Sequence, residues 1–185
     1  TIYLGGIVAN ANGYHRTNLS SNGDIYVDAN VKYDLFIGGM AYDAANGNIS
    51  YTNCHNTANI TVSDKTYVKS SVAIGGMIGK FTTASERKTF VGCSNSGNIT
   101  CGCKSENAQH LGGLMGYTSN GIVIVKDGFT NSGNITHRGS TNGADAINVG
   151  GLFGYITAAQ LSYDTTTTTG EGDEAVTTTT TTSWT

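Results

Sequence analysis

The chain of 185 residues contains no proline, and only 12% of its residues are charged, about half the share usual in soluble domains. So little charge argues against a solvated helical protein. Ten Lys and Arg against thirteen Asp and Glu leave a net charge of -3 and no basic stripe, which argues against nucleic acid as a partner. No apolar run approaches the roughly 20 residues that cross a bilayer as a helix, so no membrane span is expected, and no signal-peptide pattern opens the chain. Because the sequence starts at Thr1 rather than Met, it is expected to be a processed or excised segment of something longer. Its length suffices for one domain with a real core, or two small ones.

Glycine, by contrast, occurs 26 times. Thr, Val, Ile and Tyr are interleaved with Asn and Gly, the vocabulary of strands joined by turns, so the expected class is all-β. Glycine pairs recur at Gly5-Gly6, Gly38-Gly39, Gly75-Gly76, Gly112-Gly113 and Gly150-Gly151, in steps of 33, 37, 37 and 38 residues. The residue after each pair is Ile7, Met40, Met77, Leu114 or Leu152, and the next is Val8, Ala41, Ile78, Met115 or Phe153. Both positions are always apolar, which predicts one buried strand there in every copy.

A second signature follows each of the first four pairs. "NSGNIT" stands at Asn95–Thr100 and again at Asn131–Thr136, with the cognate "NTANIT" at Asn56–Thr61. It ends on Ile60, Ile99 and Ile135, with Ile25 in the first copy; Val27, Val62, Cys101 and His137 lie two residues later, and Leu19, Cys54, Cys93 and Phe129 six residues earlier. Even spacings predict that all of these share one inward face of an extended chain. The Asn-Gly and Ser-Gly between them are read as turns that exploit positive φ. Units of 33 to 38 residues, each too small to bury its own apolar face, predict a stacked β-solenoid with ladders of like residues. The alternative is a β-sandwich with similar hairpins, in which five in-phase glycine pairs would be a coincidence.

The segments "GGMIG" at Gly75–Gly79, "GGLMG" at Gly112–Gly116 and "GGLFG" at Gly150–Gly154, each with an "NSGNI"-like partner, resemble the GLUG-type repeats of secreted and surface-exposed proteins. The resemblance covers about Leu4 to Tyr155; the first two copies, "GGIVA" and "GGMAY", lack the last glycine. It implies an extracellular or cell-surface, adhesin-like setting, and it brings no catalytic residues.

Residues 1–163 are thus expected to form the solenoid, and residues 164–185 a Thr-rich tail. Threonine is strand-compatible, so Thr165–Thr169 and Ala175–Thr185 read as a hairpin around Gly170-Glu171-Gly172-Asp173. The competing reading is an O-glycosylated stalk, which the absence of proline disfavours. Such a strand gains stability by pairing with an existing edge, and nothing before Leu4 reads as a capping helix or charged guard. Thr177, Thr179, Thr181 and Trp184 are therefore candidates for an assembly strand that caps its own solenoid or adds to a neighbouring one.

Candidate chemistry is sparse. Cys54 and Cys93 occupy equivalent inward positions on successive turns, and Cys101 and Cys103 lie two apart. They read as core thiols, or as disulfides among the four with the connectivity open. A zinc site from Cys93, Cys101, Cys103 and His110 matches no pairing of Cys-x2-Cys knuckles. His15, His55 and His137 have no carboxylate or hydroxyl partner at a recognisable spacing and read as surface or turn residues. "GGMIGK" ends on Lys80 followed by Phe81, which fails the phosphate-loop pattern; Lys80 instead takes the repeat position of Tyr117 and Tyr155. Glu171, Asp173 and Glu174 supply too few oxygens for calcium. No carboxylate pair recurs at one repeat position, so no enzymatic activity and no cofactor are expected.

Asn-x-Ser/Thr sequons stand at Asn18, Asn48, Asn59, Asn98 and Asn134. The last three share one repeat position, which in a glycosylating source would set a column of glycans opposite the buried Ile; Asn-Ile-Thr is equally a good turn-to-strand sequence. The expected function is an extracellular structural or adhesive protein that self-assembles through its solenoid edges into a fibre or surface layer. The alternative is a glycan- or host-protein-binding module, with Tyr42, Tyr117 and Tyr155 either stacking on sugars or filling core corners. Ice binding through Thr arrays is a third class, disfavoured because the Thr tracts sit in the tail.

Overall fold

The structure, a computed structural model, describes residues 1–9, 15–42, 47–83, 86–142, 145–157, 160–169 and 176–184. It is all-β, a solenoid of about four turns whose walls are sheets of parallel strands. Wall 1 stacks Ile2–Gly5, Leu35–Gly38, Val72–Gly75, Gln109–Gly112 and Ile147–Gly150. Wall 2 stacks Ile78–Phe81, Met115–Ser119 and Phe153–Thr157, with Val8 and Ala41 bridged in line below them. Wall 3 stacks Arg16–Thr17, Ile49–Thr52, Arg87–Asn95, Ile122–Asn131 and Gln160–Thr169, with the short strands Ser20–Ser21 and His55–Asn56 beside the longer ones. Wall 4 stacks Ile25–Val27, Ile60–Val62, Ile99–Cys101 and Ile135–His137, and wall 5 Asn30–Val31, Tyr67–Val68, Lys104–Ser105 and Ser140–Thr141.

The strand registers follow the repeat. Leu4, Ile37, Ile74, Leu111 and Val149 are direct partners, as are Ile25, Ile60, Ile99 and Ile135. In wall 1 the offsets between turns, 33, 37, 37 and 38, are those of the glycine pairs, so the alternation of side chains holds and every second residue reaches the core; in wall 4 they are 35, 39 and 36.

That core has two compartments. One packs Ile37, Ile74 and Leu111 of wall 1 against Ile60, Val62, Ile99 and Cys101 of wall 4 and Val31 and Val68 near wall 5. The other packs Met40, Met77, Ile78 and Met115 against Tyr51, Phe90, Cys54 and Cys93 of wall 3. The expected single inward face therefore divides: Cys54 and Cys93 lie in one compartment and Ile60 and Ile99 in the other, because the chain turns a corner at the intervening Thr-Ala-Asn or Ser-Gly-Asn. The expected single strand after each glycine pair divides likewise. Wall 1 ends on the first glycine, wall 2 begins beyond the second, and the two apolar residues after the pair line the second compartment.

Between the compartments lies a waist. There Asn56 Nδ2 donates to Asn95 Oδ1, and Asn95 Nδ2 donates to Asn131 Oδ1, each at 2.7 Å. Each amide also donates to the carbonyl two residues on, Ala58, Gly97 or Gly133. These asparagines begin the "NTANIT" and "NSGNIT" segments, and they face the second glycine of the pairs. A Cβ on Gly39 would lie 2.5 Å from the amide carbon of Asn56, and one on Gly76 would lie 2.5 Å from that of Asn95. The glycine pair and the six-residue signature are two halves of one contact.

Positive φ is found elsewhere than expected. Asn18, Asn53, Gly92 and Gly128 adopt it, together with Asp127; they stand just before Leu19, Cys54, Cys93 and Phe129, so a left-handed residue turns each turn of wall 3. Gly97 and Gly133 are glycine for want of space, since a Cβ would overlap the carbonyls of Ala58 and Gly97 one turn below.

The Thr-rich strand pair is present. Val176–Trp184 runs antiparallel to Gln160–Thr169, pairing Thr168 with Thr177, Thr166 with Thr179, Asp164 with Thr181 and Leu161 with Trp184. The first strand begins inside the solenoid, where Gln160–Asp164 pair in parallel with Ile122–Lys126, so the boundary expected at residue 163 falls within one strand. The connection at Gly170–Asp173, and Glu174, lie outside the described residues.

Gly76→Ala should destabilise the fold by about 1–3 kcal/mol or more through overpacking, whereas Gly23→Ala, with nothing within 4 Å of the added carbon, should stay within about 0.5 kcal/mol. Asn95→Ala strips partners from the buried amide of Asn56 and the part-buried one of Asn131 and should cost about 2–4 kcal/mol. Urea unfolding of the three variants checks both expectations.

Candidate functional site

Walls 1 and 2 meet at the waist, and the angle between them is a groove on the outer surface. In wall 1, Val72 and Ile74 face the core, so the residue between them faces out, giving an outward column of Tyr3, Phe36, Ala73, His110 and Asn148. In wall 2 the matching column is Lys80, Tyr117 and Tyr155; Tyr42, one repeat position earlier, packs against Tyr3 and Phe36 beside it. Sequence reasoning set these tyrosines between sugar stacking and core corners; they lie in neither core compartment. Tyr42 packs with Phe36 and Ala73 in a cluster of its own, against which Tyr117 rests.

The groove is lined by rings stacked along the solenoid axis. Tyr3 and Tyr42 stack at 4.1 Å between centroids, Phe36 and Tyr42 at 5.6 Å, and Tyr117 and Tyr155 at 5.4 Å. His110 lies 5.2 Å from Tyr117 and 5.0 Å from Tyr155. At Ala73 the stack lacks a ring, and a cavity of about 150 Å³ opens there, lined by Phe36, Ser71, Ala73, Lys80, His110 and Tyr117.

The Lys80 ammonium lies 4.2 Å from the centroid of the Phe36 ring and 5.4 Å from that of Tyr117. Burial lowers its pKa and the Asp34 charge opposes that shift. Asp34 is itself partly desolvated, which raises its pKa, but bonds from Ser70 and the Ser71 amide, the Lys80 charge and the Thr1 hydroxyl outweigh this, so it titrates below the usual carboxylate range. Burial, reinforced by Lys80, pushes His110 down to about 4, and its Nδ1 accepts from Asn148 Nδ2 at 3.1 Å. At neutral pH the groove therefore holds one ammonium and a neutral imidazole.

The four cysteines are buried free thiols. The Cys54 thiol faces the carbonyls of Thr52 and Arg16 and the Cys93 thiol those of Tyr51 and Val91; the proximity of the two thiols lowers Cys54 to about 6 and raises Cys93. Cys101 and Cys103 lie 3.4 Å apart at sulfur, and their contact lowers the pKa of Cys101 and raises that of Cys103. Cys93 sits in the other core compartment, so the zinc set drawn from the sequence is not assembled. Among the described residues no three His, Cys, Asp or Glu side chains are grouped to hold a metal ion, and no helix is long and apolar enough to cross a membrane.

The histidines read as partnerless do find partners, one turn away. His15 Nδ1 meets Ser50 Oγ at 2.7 Å, and His55 Nδ1 meets Ser94 Oγ at 2.8 Å. His137 Nε2 bonds Gln109 Oε1 at 2.8 Å. Gln109 itself is buried, and its Nε2 donates to Ser105 Oγ and to the carbonyls of Cys103 and Ser140. Lys88, inward between Ile49 and Val123, is a buried cation that donates to the Gly47 carbonyl, lies 3.7 Å from a Glu86 carboxylate oxygen and faces the Phe81 ring. Sequence reasoning missed both residues, although each stands at an inward position of the repeat.

Asn98 and Asn134 are exposed and Asn59 half-buried, in one outer column. The Asn98 amide N–H donates to Asn59 Oδ1, and that of Asn134 to Asn98 Oδ1; Asp24 holds the foot of the column by accepting from Asn59. Asn18 and Asn48 are exposed as well, bonded to Asn53 and to the Arg87 amide. No protein-family model, curated protein or solved structure matches this chain.

The depressed His110 pKa has a pH consequence. Between about 6.5 and 4 the unfolded chain binds a proton at this residue that the folded chain does not, so stability is full above 6.5 and falls as pH drops through this window. In His110→Asn that contribution should vanish; thermal unfolding from pH 7 to 4 for both proteins checks it.

Proposed function

We propose that the protein is an extracellular structural or adhesive protein whose solenoids join end to end with copies of themselves, forming a fibre, stalk or surface layer without catalytic turnover. The supporting observation is the exposure of the repeat columns at the end turns. Ile37, Ile74 and Leu111 are wholly buried, while Val149 in the same column is 47% exposed. Met40, Met77 and Leu114 are buried, while Ile7 and Leu152 at the two ends of that column are 39% and 40% exposed. Ile147, Tyr155 and Ile156 add to the apolar surface of the last turn. Strand edges there offer backbone groups for pairing, and apolar patches of this kind favour association.

The tail is proposed as part of the joint. Thr165–Thr169 pair only with Val176–Thr180 among the described strands, and a two-stranded ribbon by itself is marginally stable in water. Thr177, Thr179, Thr181 and Trp184 lie on the outer strand of that ribbon, whose second edge is available to a neighbouring molecule. The GLUG-type resemblance favours the cell-surface setting, and Asn59, Asn98 and Asn134 would then carry a one-sided glycan coat, with Asn18 and Asn48 as further acceptors. A glycan-binding module is the second reading, favoured by the aromatic groove.

Electron microscopy and light scattering at neutral pH test the assembly. The full chain should form filaments or concentration-dependent rods, and Val149→Asp with Leu152→Asp should reduce them to single solenoids without unfolding. Removal of residues 165–185 should weaken the joint. A monodisperse monomer at every concentration would overturn the proposal.

A further inference from the structure

The notch at Ala73 is shaped by what its neighbours are. Four of the five residues of the outward wall 1 column are large or polar, and on either side of Ala73 stand Phe36 and His110. Strands of one wall are about 4.8 Å apart, so Phe36 and His110, two turns apart, leave room for the thickness of one ring. The cavity of about 150 Å³ equals the volume that accepts a benzene ring in an apolar core, and it is below the range of drug-sized clefts. One six-membered ring is therefore the size of guest it fits.

The chemistry of the lining is mixed. Phe36 and Tyr117 line the cavity with aromatic carbon, the Lys80 ammonium lying over the Phe36 ring, so a sugar ring meets apolar surface beside a cation. Ser71 and His110 offer a hydroxyl and a neutral imidazole for ring hydroxyls. The Lys80 ammonium lies beside the cavity over aromatic faces, and among the described residues it makes no ion pair, Asp34 acting on it only through its charge. A partly desolvated ammonium among rings attracts a carboxylate more strongly than one in bulk water. Beyond the notch Tyr117 and Tyr155, stacked on one another, turn their ring edges toward the groove, and Tyr155 is 39% exposed, so further sugars of a chain have ring edges and phenol hydroxyls to lie along.

We infer that the groove between walls 1 and 2 is a binding site for an acidic saccharide: one uronic-type ring enters the notch at Ala73 with its carboxylate on Lys80, and the adjoining sugars lie along Tyr117 and Tyr155. A single flat aromatic acid would use the notch alone and leave the tyrosine column unused. The site stands on a solenoid of one molecule and does not depend on end-to-end assembly.

The test is calorimetric titration of the full chain at pH 7 and low salt with tri-galacturonate, and with its methyl ester, which keeps the rings and removes the charges. Saturable binding of the acid is expected, with the ester at least about tenfold weaker, equivalent to about 1.4 kcal/mol. Lys80→Met should lose the acid by a similar factor. Ala73→Phe restores a ring at the empty place of the stack and should exclude both ligands; circular dichroism and thermal unfolding establish that each variant is folded. If Ala73→Phe does not fold, Lys80→Met and the ester decide. No saturable binding of the acid, equal binding of acid and ester, or full binding by folded Lys80→Met would each overturn the site.

Discussion

The contact between a backbone without a side chain and a buried amide organises this molecule. Asn56, Asn95 and, less deeply, Asn131 carry amides into the interior, where an unpartnered amide is costly, and each is satisfied by the asparagine one turn away and the carbonyl two residues on. The opposing chain must come close enough to shut water out, which only glycine at positions 39, 76 and 113 allows. A turn therefore needs its neighbours both for its apolar columns and for its amide. At the first turn the column ends on Ser21, whose hydroxyl is buried without a partner.

The same contact explains the shape. Glycines hold walls 1 and 2 backbone to backbone at the waist, as when a Cβ on Gly116 would lie 2.5 Å from the Ile74 amide nitrogen. The core is split into two compartments by this approach, and the outside is drawn inward beside it. The groove is thus a product of how the interior closes. Its rings stack on the spacing of the turns because they stand on strands in register, so a single small residue, Ala73, is enough to make a notch.

Much of this was legible in the sequence. The glycine steps contain the registers of walls 1 and 2, and the spacing of the Ile residues in the six-residue signature, 35, 39 and 36, contains that of wall 4; the apolar columns follow once those steps are applied, since parallel stacking places like on like. What was not legible depended on contacts across turns. No local spacing pairs His55 with Ser94, 39 residues on, yet the two are hydrogen-bonded across turns. The glycines of "NSGNIT" looked like positive-φ turns, because crowding by a carbonyl one turn below leaves no local trace; of the left-handed residues of wall 3, Asn53 lies in the bend between Thr52 and His55 and Gly92 at a register break inside Arg87–Asn95, where nothing in the sequence marks a corner. Tyr117 and Tyr155 follow apolar residues and could be assigned to inside or outside only after the chain was seen to bend at the glycine pair. The notch itself is an alanine, a residue that carries no signal until the rings around it are placed.

The asparagine column also has a direction. Every interturn bond in it runs from an amide nitrogen to the oxygen of the later turn, so the amide dipoles align along the axis and reinforce one another. Its two extremities differ in kind, the Asn56 carbonyl oxygen standing at one and the Asn131 amide nitrogen at the other. A twofold axis would bring like ends together and set the dipoles in opposition. Any contact that prolongs the column is instead a translation with rotation, the heterologous geometry that does not close on itself, and growth along it distinguishes a leading from a trailing end.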